Sequence, residues 1–316
     1  MKTTTQSLSN RSVGCALALI SSAACGMNPF FTQAVVLPDG AGMAVSSAMF
    51  YRNLAATLVL MLPVIVAREG FRITVSQLWR LLLLGGLFAA TTVAMVEGYK
   101  YMDGGAATVV QYSFPVFTPM LGFLIFRERF GWRVAVAVAM VMVGVTCLAG
   151  VFSGHAGSVN LRGVLIELAS GLLMAFYLVL LPRAGCLDSM GSAKVTFYVF
   201  LFGCVLLALY AITQGGIQPH DLVYSAHGPW TSWPPVWVML LLSGLVSSAF
   251  ANITLTMSTR LIGGTLCSIL NVMEPVTAMV LGVLFLGDEP DVFTVIGTVI
   301  VIVAVLLIVL PEENKQ

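Results

Sequence analysis

The chain alternates between long apolar stretches and short polar connections along its whole length. A helix that crosses a bilayer needs about 20 mostly apolar residues. Runs such as LWRLLLLGGLFAATTVAMV do not alternate between polar and apolar side chains, as the strands of an outer-membrane barrel would. The pattern therefore predicts an all-α integral membrane protein with ten transmembrane helices, numbered spans 1 to 10, at residues 13–36, 44–67, 79–101, 104–126, 132–152, 161–182, 193–214, 235–259, 263–286 and 292–310.

Charged residues make up only 9% of the 316 residues, and the mean hydropathy is +0.97. A soluble protein carries roughly 25% charged residues to keep its surface in water. Disordered chains are poor in apolar residues, and a net charge of +1 leaves no basic face for nucleic acid. The composition therefore predicts a polytopic membrane protein that is solvated by membrane lipids and does not bind nucleic acid.

The basic residues predict how the spans are oriented, because Lys and Arg favour cytoplasmic connections. With the N-terminus inside, twelve basic residues lie at the cytoplasmic side, only Lys100 and Arg162 lie outside, and Arg52 lies within span 2. The distribution predicts a plasma-membrane protein, in a bacterium the inner membrane, with both termini cytoplasmic. The N-terminal apolar run could instead be a cleaved signal peptide, but it continues through NPFFTQAVV.

The sequence contains an internal repeat. GGAATVVQYSFPVFTPMLGFLIFRERF begins at Gly104, and the related GGTLCSILNVMEPVTAMVLGVLFLGDEP begins at Gly263; Pro115 and Pro275 are 160 residues apart, and Glu128 matches the acidic group at Asp288 and Glu289. Because the unit has five spans, an odd number, the two copies insert with opposite orientations. The prediction is two inverted five-helix repeats, an arrangement typical of secondary transporters.

The repeat sets the predicted organisation of the chain. The segments are a cytoplasmic N-terminus at 1–12, a first repeat at 13–152, an outer linker at 153–160, a second repeat at 161–310 and a cytoplasmic tail at 311–316.

The repeated motifs resemble the drug/metabolite transporter superfamily, specifically its EamA-like ten-helix branch. The resemblance rests on the two motifs quoted above and on the arginine in MFYRNLAATLVL, and it covers residues 13 to 310. It implies a metabolite carrier in which spans 1–4 and 6–9 surround a central cavity, and in which transport is often outward. Glu97 and Glu167 depart from the pattern of many members and could serve this protein's own specificity.

Four of the ionisable residues within the predicted spans are candidates for function, because such groups normally face a cavity and have a partner. Arg52, Glu97 and Glu167 all lie in the outer half. We expect Arg52 to pair with Glu97 or Glu167, as a helix lock or a gate, or to bind a substrate carboxylate. Glu97 could instead pair with Lys100 one turn away. Glu274, near the midplane, could bind a substrate ammonium group or take up and release a proton.

Polar residues at helical spacing predict a polar cavity at the centre of the bundle. Gln111 and Tyr112 in span 4 and Asn271 in span 9 lie close to Pro115 and Pro275, which we expect to break their helices. The expected substrate-binding residues are Asn28, Arg52, Gln111, Tyr112, Asn252, Asn271 and Glu274. Some of these side chains could instead form hydrogen bonds that hold helices together.

No phosphate-binding GxxxxGK[ST], HExxH or GxSxG motif occurs, and the cysteines have no metal-ligand spacing. We therefore expect no enzymatic activity, no cofactor and no metal. The predicted function is secondary active transport of a small polar or amphipathic metabolite that is amino-acid-like and zwitterionic or cationic. The expected direction is efflux, and the transport could be coupled to a proton. The alternatives are a passive channel or receptor and an intramembrane lipid-modifying enzyme. The chain would act as a monomer or a homodimer.

Overall fold

The computed structural model describes residues 2–36, 43–98, 100–101, 104–148, 160–217, 235–286 and 291–309, and these residues are almost entirely helical. Thirteen α-helices follow one another in the described part of the chain. They are α1 (Lys2–Gly26), α2 (Asn28–Val36), α3 (Val45–Val66), α4 (Val75–Gly98), α5 (Gly104–Gln111), α6 (Phe114–Phe126), α7 (Trp132–Leu148), α8 (Leu161–Leu180), α9 (Ser192–Thr213), α10 (Val236–Ser243), α11 (Ala251–Leu270), α12 (Met273–Leu281) and α13 (Val292–Val309). Two π-helical segments, Gly244–Phe250 and Gly282–Leu286, follow α10 and α12.

These helices form the predicted ten spans. Seven helical stretches are long and apolar enough to cross a membrane, and Trp132–Cys147 and Met273–Phe285 are shorter apolar helices. The longest stretch, Val236–Leu270, has 35 residues, more than one crossing needs. Gly263 divides it, because its φ of 79° and ψ of 165° are not helical. Span 8 therefore ends before Gly263, and span 9 begins after it.

The contacts between helices follow the repeat. Helix α1 packs against α11, and α8 packs against α4, which places span 1 on span 8 and span 6 on span 3. If each span is replaced by its counterpart in the other repeat, span 1 becomes span 6 and span 8 becomes span 3, so the first pair becomes the second. Helices α3 and α9 pack together, as do α7 and α13, and each of these pairs is converted into itself. The expected two-repeat architecture is thus confirmed by the packing of the described helices.

Three spans are interrupted near their centres. The breaks lie at Met27, at Tyr112–Ser113 and at Asn271–Val272, and each precedes a proline by two or more residues. Proline lacks a backbone N–H and crowds the preceding turn, so the carbonyl four residues earlier loses its helical donor. The prolines after the second and third breaks are Pro115 and Pro275, so these breaks occupy equivalent places in the two repeats.

At one end of the bundle the connection Ala184–Gly191 joins several spans; we call this the basic end. The guanidinium of Arg260 donates hydrogen bonds to the carbonyls of Met190 (2.8 Å) and Leu187 (3.1 Å). The carboxylate of Glu69 accepts a 3.0 Å bond from the Gly191 N–H. These bonds hold the ends of spans 2, 6, 7 and 8 together, so the bundle is closed at this end.

An ion pair adds to this closure. Arg183, at the end of span 6, pairs with Glu128 of span 4, and its guanidinium carbon lies 4.1 Å from the ring centre of Phe126. The matching acidic group of the second repeat, at Asp288 and Glu289, lies outside the described residues, as do most of the predicted outer linker and the tail at 311–316.

Candidate functional site

Arg52 lies where α2, α3 and α10 meet. One guanidinium nitrogen, Nη1, donates a 2.6 Å hydrogen bond to the side-chain oxygen of Asn28, the first residue of α2. The same oxygen accepts a 3.3 Å bond from the hydroxyl of Ser243 in α10. The Nε of Arg52 is buried and has no hydrogen-bond partner among the described residues. Asn28 therefore orients the guanidinium and leaves part of its donor set unused.

Glu274 brings the opposite charge to the same region from the second repeat. It lies in the first turn of α12, directly after the break in span 9. Its carboxyl group lies near the side chain of Tyr112, which is at the break in span 4, and it is close enough to Arg52 for the two charges to interact. The two interrupted helices and the arginine of span 2 thus meet in one cluster.

The space beside Arg52 is small in this conformation. A cavity of about 10 Å³ touches Arg52 and Ser243, and its other walls are apolar: Phe31, Val35, Ala48, Met49 and Leu240. Such a volume holds about one water molecule. This cavity is therefore too small for a metabolite, which could bind in it only if its walls separate, although Arg52 and Glu274 are themselves partly exposed.

The two helix breaks are chemically related but are stabilised differently. Gln111 and Asn271 are 160 residues apart, and their backbone carbonyls lie four residues before Pro115 and Pro275, respectively. The Asn271 carbonyl accepts a 2.8 Å hydrogen bond from the hydroxyl of Ser22 in α1. The Gln111 carbonyl faces Gly171 of α8, so closely that a Cβ atom added to Gly171 would lie 2.8 Å from it.

A pair of serines shows that the first helices of the two repeats dock in the same way. The hydroxyl of Ser21 in α1 donates to the Ala251 carbonyl at 2.7 Å, and the hydroxyl of Ser170 in α8 donates to the Thr91 carbonyl at 3.0 Å. Ser21 and Ser170 are 149 residues apart, so Ser22 corresponds to Gly171. The two repeats therefore share a docking bond and differ in how they hold the neighbouring break.

Glu97 does not pair with Arg52 in this structure. Its carboxylate accepts hydrogen bonds from Lys100 (2.8 Å) and from the hydroxyl of Tyr210 in α9 (2.5 Å). Lys100 also donates to Gln214 at 2.8 Å. The alternative partner expected for Glu97, Lys100, is the one observed. Glu97 belongs to a partly exposed ion pair at the end of the bundle opposite the basic end, outside the cluster around Arg52.

Other predicted residues lie at various distances from the cluster. Asn252 donates its amide to the Ser248 carbonyl of its own helix at 2.8 Å. Asn271 is buried at the break of span 9, and its side-chain oxygen has no partner among the described residues. Glu167 is fully buried at the contact between α8 and α4, and its expected pairing with Arg52 is not formed. Gln111 is the last residue of α5 and is half-buried.

Two residues of this region were not predicted from the sequence. Ser22 and Ser243 are short hydroxyl side chains among many in the apolar spans, and only their contacts across helices give them a role. A proline removes the helical donor of the carbonyl four residues earlier. That a serine of another helix binds this carbonyl can be recognised only when the packing of the helices is known.

Two inverted repeats of apolar helices, with interrupted spans and opposite charges near the centre of the bundle, are the arrangement of a membrane transporter. The chain belongs to the EamA-like transporter family, whose model matches residues 12–150 and 161–310.

Similar proteins agree with this assignment. An uncharacterized transporter of Clostridium kluyveri is 22% identical over 261 residues, which cover 79% of this chain and 78% of that protein. The uncharacterized transporter YdfC of Bacillus subtilis is 21% identical over 70% of this chain and 67% of its own length. A crystal structure of another protein has a TM-score of 0.72 at 16% identity, and the match covers 93% of this chain and 95% of that chain. This last likeness shows the shared fold.

Proposed function

We propose that this transporter exports a small amphipathic metabolite, amino-acid-like and zwitterionic or cationic, by secondary active transport with alternating access. The observation that carries the proposal is the proximity of Arg52, from the first repeat, to Glu274 at the helix break of the second repeat. A zwitterion carries both complementary charges. Its carboxylate would replace Glu274 as the counter-charge of Arg52, and its ammonium group would bind Glu274.

The surroundings of Arg52 support a ligand that is partly apolar. Five apolar side chains line the small cavity next to its guanidinium. When these walls separate, they would offer an apolar surface beside one strong cation and the hydroxyl of Ser243. Such a surface favours a ligand with a charged head and an apolar side group over a fully hydrated ion.

The driving force would come from gradients across the membrane. We expect transport without chemical conversion of the substrate, because the sequence carries no motif for ATP hydrolysis or other catalysis. A proton gradient is the simplest source, since carboxyl groups within the spans can exchange protons when water reaches them. Export is the direction that the family resemblance implies.

Binding is tested first, with the purified protein. A thermal-shift screen against amino acids, nucleosides, vitamins and polyamines will find a ligand, because a bound ligand stabilises the folded state by mass action. We expect the strongest stabilisation from an amino acid with an apolar side chain.

Transport is then tested with the ligand that binds. In proteoliposomes preloaded with unlabelled ligand, a carrier accelerates the entry of labelled ligand, whereas a channel does not. Binding without this trans-stimulation would contradict the carrier mechanism. Failure of cells that overproduce the protein to lower their content of labelled ligand would contradict export.

The orientation in the plasma membrane is tested with two exposed positions at opposite ends of the bundle. Arg129→Cys and Arg162→Cys would each be made in a chain without the native cysteines; both positions are exposed. We propose that the basic end is cytoplasmic, so a membrane-impermeant thiol reagent added to intact cells would label only the second variant. Labelling of the first variant alone would reverse the proposed orientation.

A further inference from the structure

Glu167 is a buried carboxyl group with no counter-charge among the residues that the structure describes. It lies in α8 with 0% of its surface exposed, and both carboxyl oxygens are buried without a hydrogen-bond partner among the described residues. The carboxyl group is pressed against α4, because a Cβ atom added to Gly98 would collide with it. An ionised carboxylate in such a place has nothing to stabilise its charge.

The packing of α8 does not require a carboxyl group at this position. The serine pair Ser21 and Ser170 aligns α1 with α8, and on this alignment Glu167 corresponds to Ala18. Ala18 is also fully buried. A small apolar residue therefore fills the equivalent place in the first repeat, and the carboxyl group of the second repeat calls for a different explanation.

The neighbouring helices offer Glu167 no described partner of opposite charge. On α4, Glu97 and Lys100 bind each other, and Glu97 also accepts from Tyr210 of α9. Helices α5 and α6 contain no ionisable side chain. Arg80 of α4 and Arg162 of α8 are exposed, and Arg260 of α11 is bound to carbonyls at the basic end.

The remaining ionisable groups near this interface are accounted for or lie outside the described residues. Tyr112 lies near Glu274, Tyr177 is buried ten residues further along α8, about 15 Å away, and Cys267 is buried in α11. Asp103, which directly precedes α5 in the sequence, lies outside the described residues. Glu274 thus has both a donor and a cation near it, whereas Glu167 has neither among the residues described.

The position of Glu167 links it to the moving parts of a transporter. Gly171 lies one turn further along α8, on the same face, and packs against the carbonyl of Gln111 at the break of span 4. Helix α8 thus packs both on the break of span 4 and on α4. A movement of α8 that opens its contact with α4 would let water reach the carboxyl group of Glu167.

We infer that Glu167 carries the coupling proton of the transport cycle, separately from the substrate-binding Glu274. In the conformation described here, in which α8 contacts α4, the carboxyl group holds its proton. In the transporter open to the cytoplasm, Glu167 releases the proton to that side while the substrate binds. In the transporter open to the outside, the substrate leaves and Glu167 takes up a proton from that side, so each cycle moves one proton inwards and one substrate outwards. This inference rests on the proposed function, since it assigns the driving ion of that same transport.

The test compares Glu167→Gln with the control Glu97→Gln, which removes a carboxylate that already has partners. In proteoliposomes, counterflow at equal pH needs no net proton movement, whereas accumulation driven by a pH gradient does. We expect Glu167→Gln to keep counterflow within about twofold and to lose gradient-driven accumulation by about tenfold or more. The control would keep both.

Each outcome separates the inference from the proposed function. Accumulation by Glu167→Gln that still follows the pH gradient would overturn the inference. Absence of counterflow in the wild type would instead overturn the proposed function. Should Glu167→Gln fail to fold, Glu167→Ala copies the residue of the first repeat. Infrared spectra of the wild type and of Glu274→Gln should both show the carbonyl band of a neutral carboxylic acid at pH 7, and its absence from both would exclude a proton on Glu167.

Discussion

The hydroxyl of Ser22 donates a hydrogen bond to the carbonyl of Asn271, the carbonyl that Pro275 leaves without its helical donor (2.8 Å). The bond crosses from the first helix of the first repeat to the broken helix of the second. A backbone carbonyl in a bilayer must find a donor within the protein, since no water is present to supply one. Ser22 therefore fixes the break of span 9, next to Glu274, at a defined place.

Ser22→Ala and Ser21→Ala should each destabilise the protein by about the value of one hydrogen bond. Both variants remove one hydroxyl bond between α1 and the second repeat. The carbonyl of Ala251 also accepts from Thr254, and the carbonyl of Asn271 also accepts a 3.1 Å bond from the Glu274 N–H, so neither carbonyl loses every donor. We expect each variant to cost about 1 kcal/mol. Thermal unfolding in detergent measures the losses, and a Ser22→Ala protein as stable as the wild type would contradict the role given to Ser22.

Gly171→Ala should separate α8 from the break of span 4. The added methyl group would lie 2.7 Å from the Ser113 hydroxyl and 2.8 Å from the Gln111 carbonyl, too close for either atom. Overpacking of this kind costs about 1–3 kcal/mol. Gly86→Ala is the control, because a methyl group there meets nothing within 4 Å and improves helix propensity. A Gly171→Ala protein as stable and as active as the Gly86→Ala protein would contradict the close contact.

Arg52→Ala should remove the preference for a carboxylate in the ligand. A hydrogen bond to a charged group contributes about 1.5–3 kcal/mol, which corresponds to about 10- to 100-fold in affinity. Titration of the purified protein with the ligand and with its carboxamide analogue measures this preference. We expect the wild type to favour the carboxylate and the variant to bind both equally. A variant that keeps the preference but no longer transports would assign Arg52 to gating.

Glu128 and Arg183 should be replaceable as an exchanged pair. Each is about 29% exposed, so solvent screens the pair and its coupling is expected to be about 0.5–1 kcal/mol. Glu128→Arg alone brings two cations together, and Glu128→Arg with Arg183→Glu restores the attraction. Counterflow and thermal stability would both fall in the single variant and recover in the double variant. No recovery would show that the contact of Arg183 with the Phe126 ring, and not the ion pair, holds this end.

The number of spans and the repeat could be predicted from the sequence because both depend on long-range averages. Twenty apolar residues form a membrane helix almost regardless of their order. Two prolines 160 residues apart mark equivalent breaks because proline acts on its own preceding turn. The start of the first helix at Lys2, well before residue 13, and the π-helical segments were not predicted. They do not change the apolar pattern on which the prediction depends.

The partners of the charged residues were harder to predict, because depth along a helix does not define direction around it. Arg52, Glu97 and Glu167 lie in the same half of the membrane, and depth alone makes them possible partners. In the folded protein Arg52 points towards Asn28 and Glu97 towards Tyr210 and Lys100. The direction of a side chain around its helix follows from how the helices pack, which the sequence of one chain does not reveal.

The two halves of this protein are no longer interchangeable. Span 2 carries the arginine of the cluster, and the corresponding part of span 7, from Val195 to Thr213, has no charged residue. Spans 6 and 9 carry Glu167 and Glu274, where the first half has Ala18 and Phe114. A dimer of the first half would bring two like cations together, and a dimer of the second half would gather only carboxyl groups. Neutrality at the centre thus requires that the two copies remain joined in one polypeptide.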